Sequence, residues 1–321
     1  MTRTKLTAIF TVSFFALMAT APVKADDELH TIVDDAWVGA QGFHFSGRLT
    51  EIRRAPEKNS GRLAALYRST RMLFTSGEEG AVTWRVGKME WTTRADDHGY
   101  WELTSNTPLD LAPSWHEIET VPSASSTAGV LVPDPRNALG IISDIDDTIL
   151  VSEVQSKRKL LSNSLTVPAE NRSAVPGLAD LYHRIAKKNP APETTPIFYV
   201  SGSPRQLTDS IRRFLKTNDF PRGVLQLKEI STERGDSLLD TPAYKLKHID
   251  KIIAAFPGVK FMLIGDDGEQ DPEIFAKVAE KYPARVEGVW IRRVHNDPAR
   301  AKFAGQRDLT ELLVEGAVEK R

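Results

Sequence analysis

The chain has 321 residues, 40% hydrophobic and 26% charged, with a formal net charge of −1; this is a globular composition large enough for two domains, and no global field draws it to nucleic acid. It contains no cysteine, which excludes disulfides, iron–sulfur clusters, thiolate zinc sites and cysteine nucleophiles. Its seven histidines are scattered without an HExxH pair, so a zinc centre is not expected.

The chain opens with Arg3 and Lys5 ahead of an apolar stretch from Ala8 to Ala21, followed by small residues that suit cleavage after Ala21 or Ala25. This is the layout of a secretory signal peptide over residues 1–25, so the protein is expected to be exported, to a periplasm or out of the cell. The rival reading is an uncleaved anchor, but the stretch is short for a span and is interrupted by Thr11 and Ser13.

Residues 26–132 read as β-rich. Phe43 to Leu49 and Ala81 to Val86 alternate, and Asp96-Asp97-His98-Gly99 is a turn leading into a strand at Tyr100 to Leu103. Trp37, Trp84, Trp91, Trp101 and Trp115 all fall here, as core residues of a small antiparallel sandwich or as anchors at a bilayer interface. The small, polar stretch Val121 to Gly129 and then Pro133-Asp134-Pro135 read as a linker, with a boundary near 132.

Residues 133–321 change rhythm. Strands are expected at 139–142, 197–200, 224–227, 261–264 and 286–294, and helices at 177–188, 206–215, 244–256, 271–281 and 308–319. Continuous apolar strands alternating with amphipathic helices predict an α/β fold with a parallel sheet covered on both faces. Residues 151–174 interrupt the rhythm as a candidate lid, and their Lys157-Arg158-Lys159 run is either a solvated face or an attraction for anionic lipid, the basis for expecting peripheral membrane contact.

Ligands bind at the carboxyl ends of strands in open α/β sheets. Here these ends carry Ser143-Asp144-Ile145-Asp146-Asp147-Thr148, Ser201-Gly202-Ser203-Pro204 and Gly265-Asp266-Asp267-Gly268-Glu269. Converging carboxylates repel one another unless a cation sits between them, and oxygen ligands without nearby His or Cys suit Mg²⁺. One carboxylate can attack phosphorus while another, two residues on, protonates the leaving oxygen and then activates water. Ser201 can hold a phosphoryl oxygen, and Lys245 can neutralise the others.

The order DxDxT, strand-end Ser, Lys and acidic cluster resembles the haloacid dehalogenase superfamily over roughly residues 140–295. Phe198-Tyr199-Val200-Ser201-Gly202-Ser203-Pro204, Phe220-Pro221-Arg222-Gly223 and Leu263-Ile264-Gly265-Asp266 with Asp271-Pro272-Glu273 narrow it. With the DxDxT run they are similar to the catalytic domain of the actin-patch-associated phosphatidate phosphatase family. The resemblance implies a Rossmann-like haloacid dehalogenase-type fold and Mg²⁺-dependent conversion of phosphatidic acid to diacylglycerol and phosphate. It makes Asp144 the nucleophile and Asp146 the acid/base. Ser201, Lys245 and Thr148 become phosphate ligands, and Asp144, Asp146 and Asp266 hold the metal. Asp267 departs from the family pattern and leaves open whether it or Asp271 supports the metal; Arg205 also departs, where an aromatic is common. Asp147 is assigned to loop support. Two other functions stay open: a phosphatase of the same mechanism acting on another anionic, soluble phosphomonoester, and an idle lipid- or partner-binding protein.

Overall fold

A computed structural model describes residues 28–52, 77–106, 109–124, 127–151, 172–229, 240–294, 300 and 302–318. The expected signal peptide, most of the candidate lid and the Lys157-Arg158-Lys159 run lie outside these residues. The fold is mixed α/β and is built on two sheets.

The first sheet holds β1 (Glu28–Val33), β2 (Ala36–Gly39), β3 (Gly42–Ile52), β4 (Gly80–Val86), β5 (Met89–Ala95), β6 (Tyr100–Ser105), β7 (Ser114–Val121) and β8 (Ala128–Val132). Two-residue periodicity sets its inner face: Val82, Trp84 and Val86 are buried while Ala81 and Arg85 point out. Trp84 stacks between Phe45 and Trp91 at 4.1 and 4.2 Å between ring centroids, so the tryptophan-rich sequence builds a core here. Two expectations change. The strands form one continuous sheet, because β7 pairs with β8 through Ser114 to Ile118 and with β4 through Glu119 to Val121, carrying the sheet round its own core. The expected linker also loses its last residues to β8, whose apolar residues are all buried and which pairs in parallel with β2.

The second sheet is parallel throughout, in the order β11-β10-β9-β12-β13-β14. Its strands are β9 (Leu139–Ser143), β10 (Ile197–Pro204), β11 (Val224–Lys228), β12 (Lys260–Asp266), β13 (Val286–Arg292) and β14 (Gln306–Asp308). The helices are α1 (Leu178–Ala186), α2 (Thr208–Thr217), α3 (Thr241–Ala255), α4 (Asp271–Lys281) and α5 (Leu309–Val318). Successive strand residues feed opposite faces. Ile141, Tyr199 and Ile264 pack with Leu181 of α1 and Phe214 of α2. Ile142, Phe198 and Leu263 pack with Ile252 of α3 and Phe275 of α4. The sequence missed β14, whose polar Gln-Arg-Asp carries no strand signal and is recruited by pairing with Val289 to Ile291.

The two sheets share a core. Trp37 and Leu131 of the first lie in the α3–α4 face of the second, with Trp37 edge-on to Phe198 at 5.4 Å between centroids. Gly39 lets the backbones close, since a Cβ there would fall 2.7 Å from the Ala255 methyl. Arg212 pairs with Asp35 at 3.1 Å, and Arg205 with Asp34 at 3.1 Å.

Candidate active site

Going outward from β9, the chain fills one side of the sheet with β10 and β11, then returns to fill the other from β12. The crevice between β9 and β12 is therefore the switch point at which such sheets bind ligands. Asp144 follows directly on β9, Asp266 ends β12 and Asp271 starts α4. Their carboxylate oxygens lie within 4.8 Å of one another, and Asp144 and Asp271 are 3% and 0% exposed.

Lys245, also buried, joins them from α3. Its Nζ donates to Asp144 Oδ1 at 2.7 Å and to Asp271 Oδ1 at 2.6 Å, with Glu269 at 3.8 Å. Thr148 Oγ1 donates to Asp144 Oδ2 at 3.0 Å and reaches Asp266 Oδ2 at 3.3 Å. Both oxygens of Asp144 are thus fixed, and its backbone N–H is held by the Ile264 carbonyl at 2.9 Å. The Thr148 hydroxyl spans two carboxylates of the cluster, a more specific place than the motif alone conveys.

Burial raises the Asp144 carboxyl well above the ordinary carboxylate range; Lys245 opposes this, and Asp271 and Asp266 add to it. Asp266 is raised by the same burial and by Asp271. Burial would lower Lys245, but Asp144 and Asp271 outweigh it and raise the amine well above its usual value.

Asp146, two residues on, has other partners. Its Oδ2 accepts from Ser201 Oγ at 2.9 Å and Ser203 Oγ at 2.7 Å. Ser201 is therefore bound to Asp146, with its own oxygen also accepting the Ser203 N–H at 2.9 Å. Ser203 was not singled out from the sequence. The signal was present, since residues two apart on a strand share a face. Asp147 adopts φ +57, and its carbonyl accepts from Arg292, a loop-holding arrangement.

The two acids left open by the sequence separate. Asp271 joins the cluster, and its approach needs Gly265, where a Cβ would sit 2.6 Å from Asp271 Oδ2. Asp267 turns away: its Oδ1 accepts the Val294 N–H at 2.7 Å and its Oδ2 faces Arg293 at 3.7 Å. Arg205 is likewise committed elsewhere, to Asp34 and, at 3.6 Å, Glu229.

Residues 139–293 match the family described as "Phosphatidate phosphatase APP1, catalytic domain". A "Phosphatidate phosphatase APP1" of Saccharomyces cerevisiae is 30% identical over 162 residues, 49% of this chain and 26% of that protein. Residues 139–293 belong to the phosphatidate phosphatase APP1 catalytic-domain family. An uncharacterized protein of Schizosaccharomyces pombe is also 30% identical over 164 residues, 50% of this chain and 26% of its own length. The chain thus spans about a quarter of the length of the curated relatives it matches. A crystal structure of a carbohydrate acetylesterase from Xanthomonas citri aligns over 84% of this chain and 68% of its own, at 11% identity and a TM-score of 0.27, which is too distant to bear on the fold. The match in this APP1-like segment covers Asp144, Asp146, Ser201, Lys245, Asp266 and Asp271, all carried by the second sheet and its helices.

Proposed function

We propose that the chain is a Mg²⁺-dependent phosphatase that releases phosphate from phosphatidic acid, leaving diacylglycerol. The observation that carries this is the buried Asp144, fixed by Lys245 and Thr148 beside two further carboxylates in an APP1-like segment. The parallel order of the second sheet, with its carboxylates at the switch point, supports a haloacid dehalogenase-type reading of that segment.

Asp144, Asp266 and Asp271 fit a hard cation: three carboxylates converge, and among the described residues no histidine joins them. Bound there, Mg²⁺ would offset their mutual repulsion and draw electron density from the phosphoryl oxygens. Asp144 attacks phosphorus, forming an aspartyl-phosphate as the bond to the ester oxygen breaks. Asp146, oriented by Ser201 and Ser203, acts as the general acid that gives a proton to the departing alkoxide. The resulting Asp146 carboxylate then takes a proton from water. That water attacks the phosphoryl phosphorus, breaks its bond to Asp144 and releases phosphate. Lys245 keeps the attacking carboxylate oriented throughout.

Export from the cytoplasm is proposed on the Arg3 and Lys5 charges and the apolar run to Ala21 alone.

The test is phosphate release from phosphatidic acid micelles. Activity should require Mg²⁺ and vanish with EDTA. Asp144→Asn should lower turnover by at least about 10³-fold with an unchanged melting temperature, because it removes the nucleophile at nearly constant volume. Turnover of soluble esters without turnover of the lipid would remove phosphatidic acid as the substrate, and an active Asn variant would refute the aspartyl-phosphate route.

A further inference from the structure

We propose that Ser203 is the positioning residue that holds Asp146 during turnover, and that it frees Ser201 to turn its hydrogen bond from Asp146 to a phosphoryl oxygen. The inference rests on the phosphatase reading and divides the work of that site between two serines.

A serine hydroxyl carries one proton and so donates one hydrogen bond at a time. Ser201 has two uses for that proton. Near the end of β10 it is placed to receive a phosphoryl oxygen, yet its hydroxyl donates to Asp146 Oδ2 at 2.9 Å. The two cannot be met together. Ser203 removes the conflict, because its hydroxyl donates to the same Oδ2 at 2.7 Å. When Ser201 turns to the phosphate, Oδ2 keeps a donor and the carboxyl group keeps its direction. Asp146 Oδ1 accepts no hydrogen bond among the described residues, which leaves it for the ester oxygen.

The exchange needs little movement. Ser201 Oγ accepts the Ser203 N–H at 2.9 Å, so the backbone pins the oxygen and only the O–H bond has to swing. Ser203 thus fixes the phosphate ligand through its N–H and the acid through its hydroxyl. A bulge puts it there. Ser201 pairs with Leu227 and Pro204 with Lys228, so Gly202 and Ser203 are extra residues against β11. Bulges of this kind re-aim side chains beside a site. Gly202 lets the bulge close on α3, since a Cβ there would fall 2.7 Å from the Thr241 methyl. The helix that carries Lys245 therefore also backs the two serines.

The test measures phosphate release, with Mg²⁺, from phosphatidic acid and from its analogue with sulfur in place of the bridging ester oxygen, both in detergent micelles. Here kcat/KM covers the steps up to cleavage of that bond. A thiolate leaves without help from an acid, so the analogue reports everything except the proton from Asp146. Ser203→Ala should lower kcat/KM at least about tenfold on the oxygen ester and less than about twofold on the sulfur ester. Ser201→Ala should lower both alike and weaken inhibition by inorganic phosphate about tenfold or more, because at cleavage its hydroxyl faces the phosphoryl group. Both esters are read on one preparation, so partial unfolding lowers both and leaves their ratio unchanged. If Ser203→Ala does not fold, Ser203→Cys, a far weaker donor of similar shape, decides. Equal losses on the two esters in the Ser203 variant, or no loss, overturn the role of Ser203. Discrimination between the esters in Ser201→Ala overturns the exchange. In both cases an active wild type leaves the phosphatase reading standing. A wild type that acts only on soluble esters is put to the same test with phenyl phosphate and p-nitrophenyl phosphate, whose leaving groups differ in their need for a proton. One that releases phosphate from none of the four overturns both readings.

Discussion

Lys245 shows how one side chain both stabilises and prepares a site. Its ammonium, 1% exposed, lies between Asp144 and Asp271, where a buried cation without carboxylates would lose its charge. The same contact keeps two carboxylates together that would otherwise repel. Lys245→Met should therefore cost about 3–5 kcal/mol of stability in EDTA at neutral pH, measured by urea denaturation. A loss under about 1 kcal/mol would mean that the ammonium does not hold the cluster together. That Asp144, Lys245 and Asp266 come together was legible in the sequence, because each follows from a strand or helix end; the sequence assigned Lys245 to phosphate, and its pairing with Asp144 and Asp271 was not legible. The partner of Ser201 was not legible, because its bond to Asp146 joins residues that only the sheet brings together.

Helix α3 sets where Lys245 stands. Hydrophobic spacing begins at Tyr244, so the periodic pattern starts the helix there. The structure starts it at Thr241, with Asp240 as N-cap accepting the Ala243 N–H at 3.0 Å and Pro242 in the first turn. The first turn, Thr241-Pro242-Ala243, carries no large apolar side chain and so no amphipathic signal, which is why periodicity passed over it. It places Lys245 one turn into a helix rather than at a fraying end. Asp240→Ala should destabilise the protein by about 1 kcal/mol, read from the urea midpoint, and no change would show that the cap is dispensable. At α4 the Asp-Pro pair reads equally as a cap or as a ligand. Gln270 takes the N-cap position, which frees the Asp271 carboxylate to turn inward to Lys245.

At the scale of the whole molecule, the two sheets enclose a groove of about 810 Å³ between β3, β6, β11 and α3. His44 from the first sheet and His248 from α3 both line it, with Lys247, Lys251 and Arg205 nearby. Burial, then Lys251 and Lys247, lowers His248 from its ordinary 6.5 to about 3. Below the unfolded value the unfolded chain takes up a proton that the folded groove refuses. Stability is therefore complete above that value and drains away as pH falls from about 6.5 towards 3. Between pH 7 and pH 5, His248→Gln should lose roughly 2 kcal/mol less stability than the wild type. Equal losses in urea titrations at the two pH values would refute a buried neutral imidazole.

The sequence by itself determined the β-rich first part, the alternating second part and the acids at the ends of β9 and β12. Those features depend on side-chain period and on residues adjacent in the chain. Tertiary structure alone sets which of Asp267 and Asp271, both within six residues of Gly265, has its carboxylate in the cluster with Asp144 and Asp266. The missing Cβ at Gly265 opens room for Asp271, while Arg293 and the Val294 N–H draw Asp267 away. It also decided that β7 carries the first sheet round on itself and that Arg205 pairs with Asp34, between the first two strands of that sheet. Each of these choices is made by a partner far along the chain, and local periodicity contains no information about that partner.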